Sequence, residues 1–560
     1  SGKGMAGEEI HPKGGEALRP AWERDPVAPR WEDAGDEPLV QALREAHGDA
    51  VEAARRYAGD LTLRIRRENL LDVARSLKDE HGFTLLLDLR GTADPDGSSP
   101  FQTVYSLQSP ETSQRVRLKV AAPVEAGEVE AEKVAGEEIE AEPGTEEENA
   151  DHPPAPPAGF PSVSGLWRGA AWLEREVHDR FGARFEGHSD LEEDDRPSAV
   201  EEEMEVRFAS RPPAPPGLLR LRLRIDGERL AHLTAGSPRR EAEEHLALRP
   251  FPQSLDLARH PDSPAAVAAG LAACGTVERL AGLAVPPRAR SLRTVFAELE
   301  RLASHLLWLA VHAAEVGDPG PAPACLRERE RVLELLAEEG GPRLIPGGLL
   351  RDLPDGWGER CRAFLDGFGA RLDEVETRLT ENRVWKKRTV GVGILPPEVA
   401  LEHGVTGPLL RASGVARDLR KDRPYEAYGE VDFEVAVGKS GDTYDRYCVR
   451  VAEMRQSARI VALCLDRLPG GAVRAYCPAA LRAAGDAEIY HGVEAPRGEV
   501  GCHVSGLRAP DGEDRGLYRC QLRTPSAFHL QVLPELARGQ RLASLVALVG
   551  TCDLAFGIDV

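Results

Sequence analysis

Apolar positions along this chain change period several times, and each change marks an element. From Pro38 onward Leu39, Val40, Leu43 and Val51 suit one face of a helix, whereas Leu61, Leu63 and Ile65 alternate with Thr62, Arg64 and Arg66, the pattern of a half-buried strand. A second helix is predicted over 68–78. Strand-like segments follow over 83–89, 101–107 and 115–120, separated by the turn-forming pairs Asp96-Gly97 and Ser109-Pro110. Residues 38–122 therefore read as α+β. A charged, Trp-bearing amphipathic segment occupies 166–185, and an acidic stretch through Glu205 places a domain junction.

Beyond the junction Met204 to Phe208 opens a second domain. Leu219, Leu221, Leu223 and Ile225 alternate with arginines and end at Asp226-Gly227, which predicts a hairpin. Helical periodicity then dominates, over 277–283, 290–316, 326–338, 357–382, 443–468 and 534–549. The second domain is expected to be mainly α-helical with small β appendages.

The helix predicted over 290–316 is the most informative element. At about 100° per residue, Val295, Leu299, Leu302, Leu306 and Ala310 share one face, and Thr294, Glu298, Arg301, His305, Trp308, His312 and Glu315 share the opposite one. Pro286-Pro287 precedes it and Gly317 can end it. On pattern alone the polar stripe is a solvated face. Its two histidines and terminal carboxylate equally suit a polar interface or a proton-handling cavity, because such groups can be tuned to exchange protons near neutral pH.

The 560-residue length requires more than one core, and no apolar run approaches the ~20 residues of a membrane span. No secretion signal is recognisable in the Gly-, Pro- and Glu-rich first residues, so a disordered leader over 1–37 and a cytoplasmic protein are expected. The net charge of -22 argues against a nucleic-acid partner, because binding the phosphate backbone needs a basic surface. Much of it lies in a Glu run between Glu125 and Asp151, followed by a Pro-rich segment. Such a block buries nothing and reads as a disordered insertion over 123–160. The expected division is a leader 1–37, an α+β domain 38–196 containing that insertion, and a helical domain 197–560.

All nine cysteines (Cys274, Cys325, Cys361, Cys448, Cys464, Cys477, Cys502, Cys520 and Cys552) fall from residue 274 onward, toward the C-terminal side, none spaced as CxxC. Iron–sulfur and structural zinc sites gather several thiolates, usually through close pairs. Reduced core cysteines are the expectation, with no metal held by this chain.

Trp167 to Gly182 (WRGAAWLEREVHDRFG), followed by Phe185-Glu186-Gly187-His188, resembles the signature of the C subunit of NADH-quinone oxidoreductase. Val285-Pro286-Pro287-Arg288, Phe296 to Arg301 with His305-Leu306-Leu307-Trp308, and Thr380 to Arg383 with Arg388 to Gly393 resemble its D subunit. So do Thr406-Gly407-Pro408 with Arg411 to Val415, Tyr444 to Tyr447 with Met454 to Ser457, and Val493 to Glu499, all in the family's order. The resemblance is to a C/D fusion of respiratory complex I. It implies a nickel-iron hydrogenase large-subunit-like fold for the second domain, stripped of its metal.

The resemblance further implies a peripheral-arm subunit on the cytoplasmic side of the inner membrane. It would pack with B and I subunits, with E, F and G subunits and with the membrane-arm H subunit, and would frame a quinone pocket. Iron–sulfur clusters and NADH would sit on partners, with no cofactor bound by this chain itself. At that pocket the sequence departs from the family. Pro212-Pro213-Ala214-Pro215-Pro216-Gly217 stands where the family has His-Pro-Ala-Thr-His-Gly, Leu233-Thr234-Ala235-Gly236 replaces a Leu-His-Arg-Gly segment, and the quinone-facing tyrosine aligns near Leu257 or Ser263. Glu315 remains where the family has Asp, and is the one catalytic candidate. The expected function is quinone reduction coupled to proton translocation. The alternative is a non-catalytic C/D paralogue acting as a connector in a modified complex. A hydrogenase is disfavoured because Cys274 and Cys552 stand alone where pairs would be needed.

Overall fold

The computed structural model describes Trp31 and residues 34–57, 59–92, 101–122, 159–188, 203–207, 219–235, 265–338, 343–475, 488–507 and 517–554. The leader apart from its last few residues, nearly all of the acidic insertion and the segments 208–218 and 236–264 lie outside them, as do Leu257, Ser263 and the Pro212–Gly217 segment.

The first half is a five-stranded sheet in the order β1-β2-β5-β4-β3. Its strands are β1 (Val51–Tyr57), β2 (Asp60–Ile65), β3 (Leu85–Thr92), β4 (Gln102–Gln108) and β5 (Arg115–Ala121). Only β2 and β5 run parallel, so the chain must cross over between them, and helix α2 (Leu70–Asp79) lies within that crossover. Val40 and Leu43 of α1 (Pro38–His47), with Leu70, Val73 and Leu77 of α2, fill a core against Leu61, Leu63 and Ile65. Two expectations are corrected. Val51 does not continue the first helix: α1 stops at His47, and residues 51–57 pair with β2 as a strand. Nor is β2 half-buried, since Thr62 is as buried as its apolar neighbours; the second half of the chain covers the polar face of the sheet.

The segment resembling the C-subunit signature forms α3 (Ala170–Phe181), ended by Gly182 in the left-handed region at φ 68°. Its named residues are structural. Fully buried Glu174 accepts from Ser162 Oγ at 2.6 Å and Val163 N at 2.7 Å, and burial lifts its carboxyl to about 7 against those bonds. His188 reaches Ala171 O at 2.8 Å. Thus the motif ties the short strands β6 (Phe160–Pro161) and β7 (Phe185–Glu186) to the helix.

The second half opens with the antiparallel strands β8 (Glu203–Arg207), β9 (Arg220–Asp226) and β10 (Arg229–Ala235), with Gly227 at φ 60° in the expected turn. Helices follow: α4 (Ala266–Ala281), α5 (Pro287–Val316), α6 (Ala322–Ala337), α7 (Trp357–Leu365), α8 (Phe368–Glu381), α9 (Arg383–Thr389) and α10 (Thr443–Asp466). The predicted helix over 357–382 is two helices, broken at Asp366-Gly367. Between α6 and α7 lie the two-residue strands β11 (Leu344–Ile345) and β12 (Gly348–Leu349), and after α10 comes a three-stranded antiparallel sheet of β13 (Glu488–Ala495), β14 (Gly498–Leu507) and β15 (Leu517–Arg523). The helix expected over 534–549 is instead the pair α11 (Pro525–Ala537), with Pro534 inside it, and α12 (Leu545–Cys552). Among the described residues Cys325, Cys361, Cys448 and Cys464 are free thiols, and Cys274, Cys502 and Cys552 are buried. No helix among them is long and apolar enough to cross a membrane.

The two halves meet through a charged layer. Three sheet cations, Arg90, Arg117 and Lys119, surround Glu488 at the start of β13, at 3.3, 3.9 and 2.5 Å, and His503 of β14 lies 2.8 Å from the same carboxylate. Burial raises the Glu488 carboxyl, but Lys119, Arg117 and His503 more than offset it and hold it well below the usual range. Arg115 reaches Glu499 at 2.7 Å, and Arg523 donates to the carbonyls of Leu87, Gly404 and Glu499.

Candidate functional site

Helix α5 spans 30 residues from Pro287, preset for the first turn, to Gly317, whose φ of 105° ends it. Both of its faces are buried. Thr294, Glu298, Arg301 and His305 are fully inaccessible, and Trp308 and His312 nearly so. The solvated reading of this stripe is therefore wrong. Charge on a helix is normally solvated because burying an unpaired ion is prohibitive, and here every ion near the helix centre is paired instead.

The pairing comes from α10, from the short helices over Pro408–Ala412 and Leu419–Asp422, and from the β13–β14 hairpin. Glu298 accepts from Arg301 and Arg420, from Tyr428 Oη at 2.5 Å and from Ser457 Oγ at 2.6 Å. Burial raises its carboxyl, yet Arg301 and Arg420 with the two hydroxyls bring it down to about 2. Arg301 also donates to the carbonyls of Glu494 and Ala495 at 2.5 and 3.0 Å. One turn on, His305 Nε2 lies 2.9 Å from Glu453 Oε2, while Glu453 Oε1 accepts two bonds from Arg411 at 2.9 and 2.6 Å. Burial pushes His305 down to about 4 despite that carboxylate. At neutral pH Glu298 is ionised and His305 neutral, so the middle of the stripe is fixed electrostatics and not a proton exchanger.

Two of the sequence motifs meet here for a steric reason. Gly498 sits at φ 144° in the β13–β14 turn, where an added Cβ would lie 2.6 Å from Thr406 Oγ1 and 3.0 Å from its backbone. The Thr406 hydroxyl accepts from Glu499 N at 2.9 Å. The Thr406-Gly407-Pro408 segment thereby docks the hairpin so that Glu494 faces inward to Arg411 at 2.7 Å while Glu499 faces the sheet.

Toward its C-terminus the stripe changes character. Trp308 Nε1 donates to Gly550 O of α12 at 2.9 Å, and its ring stacks on His312 at 4.7 Å between centroids. Arg450 lies 4.2 Å over the same indole and reaches Asp553 at 3.3 Å, which Arg497 also binds at 3.1 Å. Half-buried Glu315 converges with His312 on Gly550: a Cβ there would lie 2.5 Å from His312 Nδ1 and 3.0 Å from Glu315 Oε2. Of the sequence-derived site positions, then, Glu315 is placed with Trp308 and His312 against α12. Leu233 and Ala235 lie on β10, within the same apolar cluster as Leu545 and Leu548 of α12. Arg411, Arg420, Glu453, Glu494 and Asp553 were not singled out, although several stand in the quoted motifs. Their signal was charge on a helix or strand with no solvent-facing stripe to hold it. Among the described residues no group of three or more His, Cys, Asp or Glu is arranged to hold a metal ion.

The respiratory-chain NADH dehydrogenase 49 Kd subunit family matches residues 315–486 and 482–559, which include Glu315 and most of these network residues, and the 30 Kd subunit family matches 63–135 and 150–202. The D 2 subunit of NADH-quinone oxidoreductase from Thermodesulfovibrio yellowstonii is 37% identical over 380 residues, covering 62% of this chain and 94% of that protein. The corresponding Solibacter usitatus protein is 39% identical over 362 residues, with 63% and 96% covered, and the D subunit of Magnetococcus marinus 37% over 384, with 63% and 95%. The chain belongs to the D-subunit family of NADH-quinone oxidoreductase. Because the 30 Kd family precedes it in the same polypeptide, the arrangement is that of a C/D fusion, and the chain is an oxidoreductase subunit of the peripheral arm of complex I. In complex I terms, the charged layer around Glu488 is the contact between a C part and a D part, and the α5 network lies wholly within the D part.

Proposed function

We propose that this chain frames a quinone-reduction site beside a partner's terminal iron–sulfur cluster, with Glu315 at the proton-supplying end. Reducing a quinone to a quinol takes two electrons and two protons, and a donor must come within about 2.6–3.2 Å of the developing hydroxyl. The electrons belong to partner clusters, so this chain's share is geometry and protons. The observation that carries the reading is the change along α5. Glu298, Arg301 and His305 are locked in paired, fixed states, while His312 and Glu315 converge on the small residue Gly550 at the helix end.

The division into 1–37, 38–196 and 197–560, the hydrogenase-like description of the D part, the B, I, E, F, G and H partners, and a place on the cytoplasmic side of the membrane belong to the same reading. Glu315→Gln, in the intact complex, should lower NADH-driven quinone reduction by about tenfold or more with assembly and inhibitor-insensitive NADH oxidation unchanged; undiminished turnover removes Glu315 from the site. The second reading, a connector that reduces no quinone, draws on Pro212, Pro213, Pro215 and Pro216, none of which can donate a proton. A complex in which this is the sole D-type chain and which still reduces quinone eliminates it.

A further inference from the structure

Helix α9 and the loop after it form a surface unlike the rest of the molecule. Arg383, Lys386 and Lys387 are exposed, Arg388 is exposed with its guanidinium bonded to the Val316 carbonyl, and among the described residues none of the four makes an ion pair. In a chain of net charge -22 carboxylates are plentiful, and other exposed cations find them: Arg455 binds Asp373 and Glu376, Arg360 binds Glu338. Beside these four cations Val384, Val390 and Ile394 are 52, 52 and 54% exposed. Their backbone is not loose. Val392 O accepts from Thr443 N at 3.0 Å, Leu395 N donates to Gly441 O at 2.9 Å, and Gly391 N donates to Asp442 Oδ2 at 2.7 Å. Exposed apolar side chains on fixed backbone, ringed by unpaired charge of one sign, are the layout of a binding face with an apolar centre and a charged rim.

We propose that this face docks on an acidic protein surface of another polypeptide of the assembly, with Val384, Val390 and Ile394 at the centre and the four cations opposite carboxylates of the partner. The proposal rests on the reading of the chain as a complex I subunit. Charge complementarity selects the acidic partner. A lipid surface fits less well, because an interfacial anchor presents Trp, Phe or Leu, whereas the exposed apolar groups are short and β-branched and Trp385 is turned inward, fully buried. Arg388 donates to Val316 O at 2.7 Å, two residues from Asp318 and next to Glu315, so a partner seated here covers the end of α5 where the proposed proton donor lies.

The experiment is amine acetylation of Lys386 and Lys387, read by peptide mass spectrometry, in the isolated full chain and in the intact complex, with carbodiimide cross-linking of the complex in parallel. Labelling is expected to fall by about tenfold on assembly, and zero-length cross-links should join Lys386 or Lys387 to an Asp or Glu of another polypeptide. The double variant Lys386→Glu with Lys387→Glu should be retained in the complex less well than wild type at low salt, with the difference shrinking as salt screens the charges. Equal labelling in the two states, cross-links confined to this chain, or protection by phosphatidylglycerol vesicles in place of the assembly overturns the proposal. Protected lysines in a complex that reduces no quinone would sink the proposed function and leave the docking face standing.

Discussion

Along α5 the buried charges alternate: Glu298 lies between Arg301 and Arg420, and Glu453 pairs with Arg411 on one side and faces the neutral His305 on the other. At the seam between the C and D parts they do not alternate. Arg90, Arg117 and Lys119 of the sheet gather about Glu488, with Asp88 and Asp60 at the edges. An alternating network spreads its compensation over many partners, so that it persists as one rigid frame. A layer that gathers cations about one carboxylate concentrates the same compensation at a single residue. The D part is thus internally over-determined, while its union with the C part leans most on Glu488, with the Arg115–Glu499 pair and Arg523 beside it.

Glu488→Gln is expected to have the largest effect, because it strands buried Lys119 and leaves Arg90 and Arg117 with only Asp88 and Asp60: a loss of about 4 kcal/mol, visible as separate unfolding of the two halves in calorimetry. A single cooperative transition with little loss would show the seam to be as redundant as α5. Next comes acid. The folded carboxyl of Glu298 titrates at about 2, below its ordinary 4.5, so its contribution is present above pH 4.5 and is lost as pH falls toward 2. That loss amounts to roughly 3 kcal/mol. Denaturation curves across this range should steepen for wild type and flatten for Glu298→Gln. A smaller effect is expected from Gly550→Ala, whose Cβ would press His312 and Glu315 apart: about 2 kcal/mol of stability, with a fall in turnover larger than that loss explains. Normal turnover in a folded variant would detach α12 from the proposed site. Arg168→Ala marks the lower limit, since its pairs with Glu402 and Glu535 bridge the halves but are half in water; under 1 kcal/mol is expected, and a larger loss would mean that the seam extends to its rim.

The same contrast explains what the sequence disclosed. Elements with a dry side and a wet side were legible, as in α2 and the β9–β10 hairpin, because hydrophobic period follows from having two environments. Strands β13 and β14 were not, since residues 488–495 are buried on both faces and their carboxylates follow no solvent pattern. Val51 reads as part of the first helix because only pairing with β2, a non-local fact, makes 51–57 a strand. At the candidate site Glu315 was legible from its place on the stripe, whereas Glu453 and Asp553, which fix its surroundings, gain meaning only when distant segments bring Arg411, Arg450 and Arg497 to them.

Arg523 carries one more consequence. Its guanidinium binds three carbonyls, at residues 87, 404 and 499, all of which the ribosome makes before it. Until residue 523 is synthesised those oxygens wait without that donor, and the bridge it makes from Leu87 of the C part to the D part is missing. Completion of that bridge is in this sense a late event of translation: Arg523→Ala should leave both parts built and this one latch between them undone.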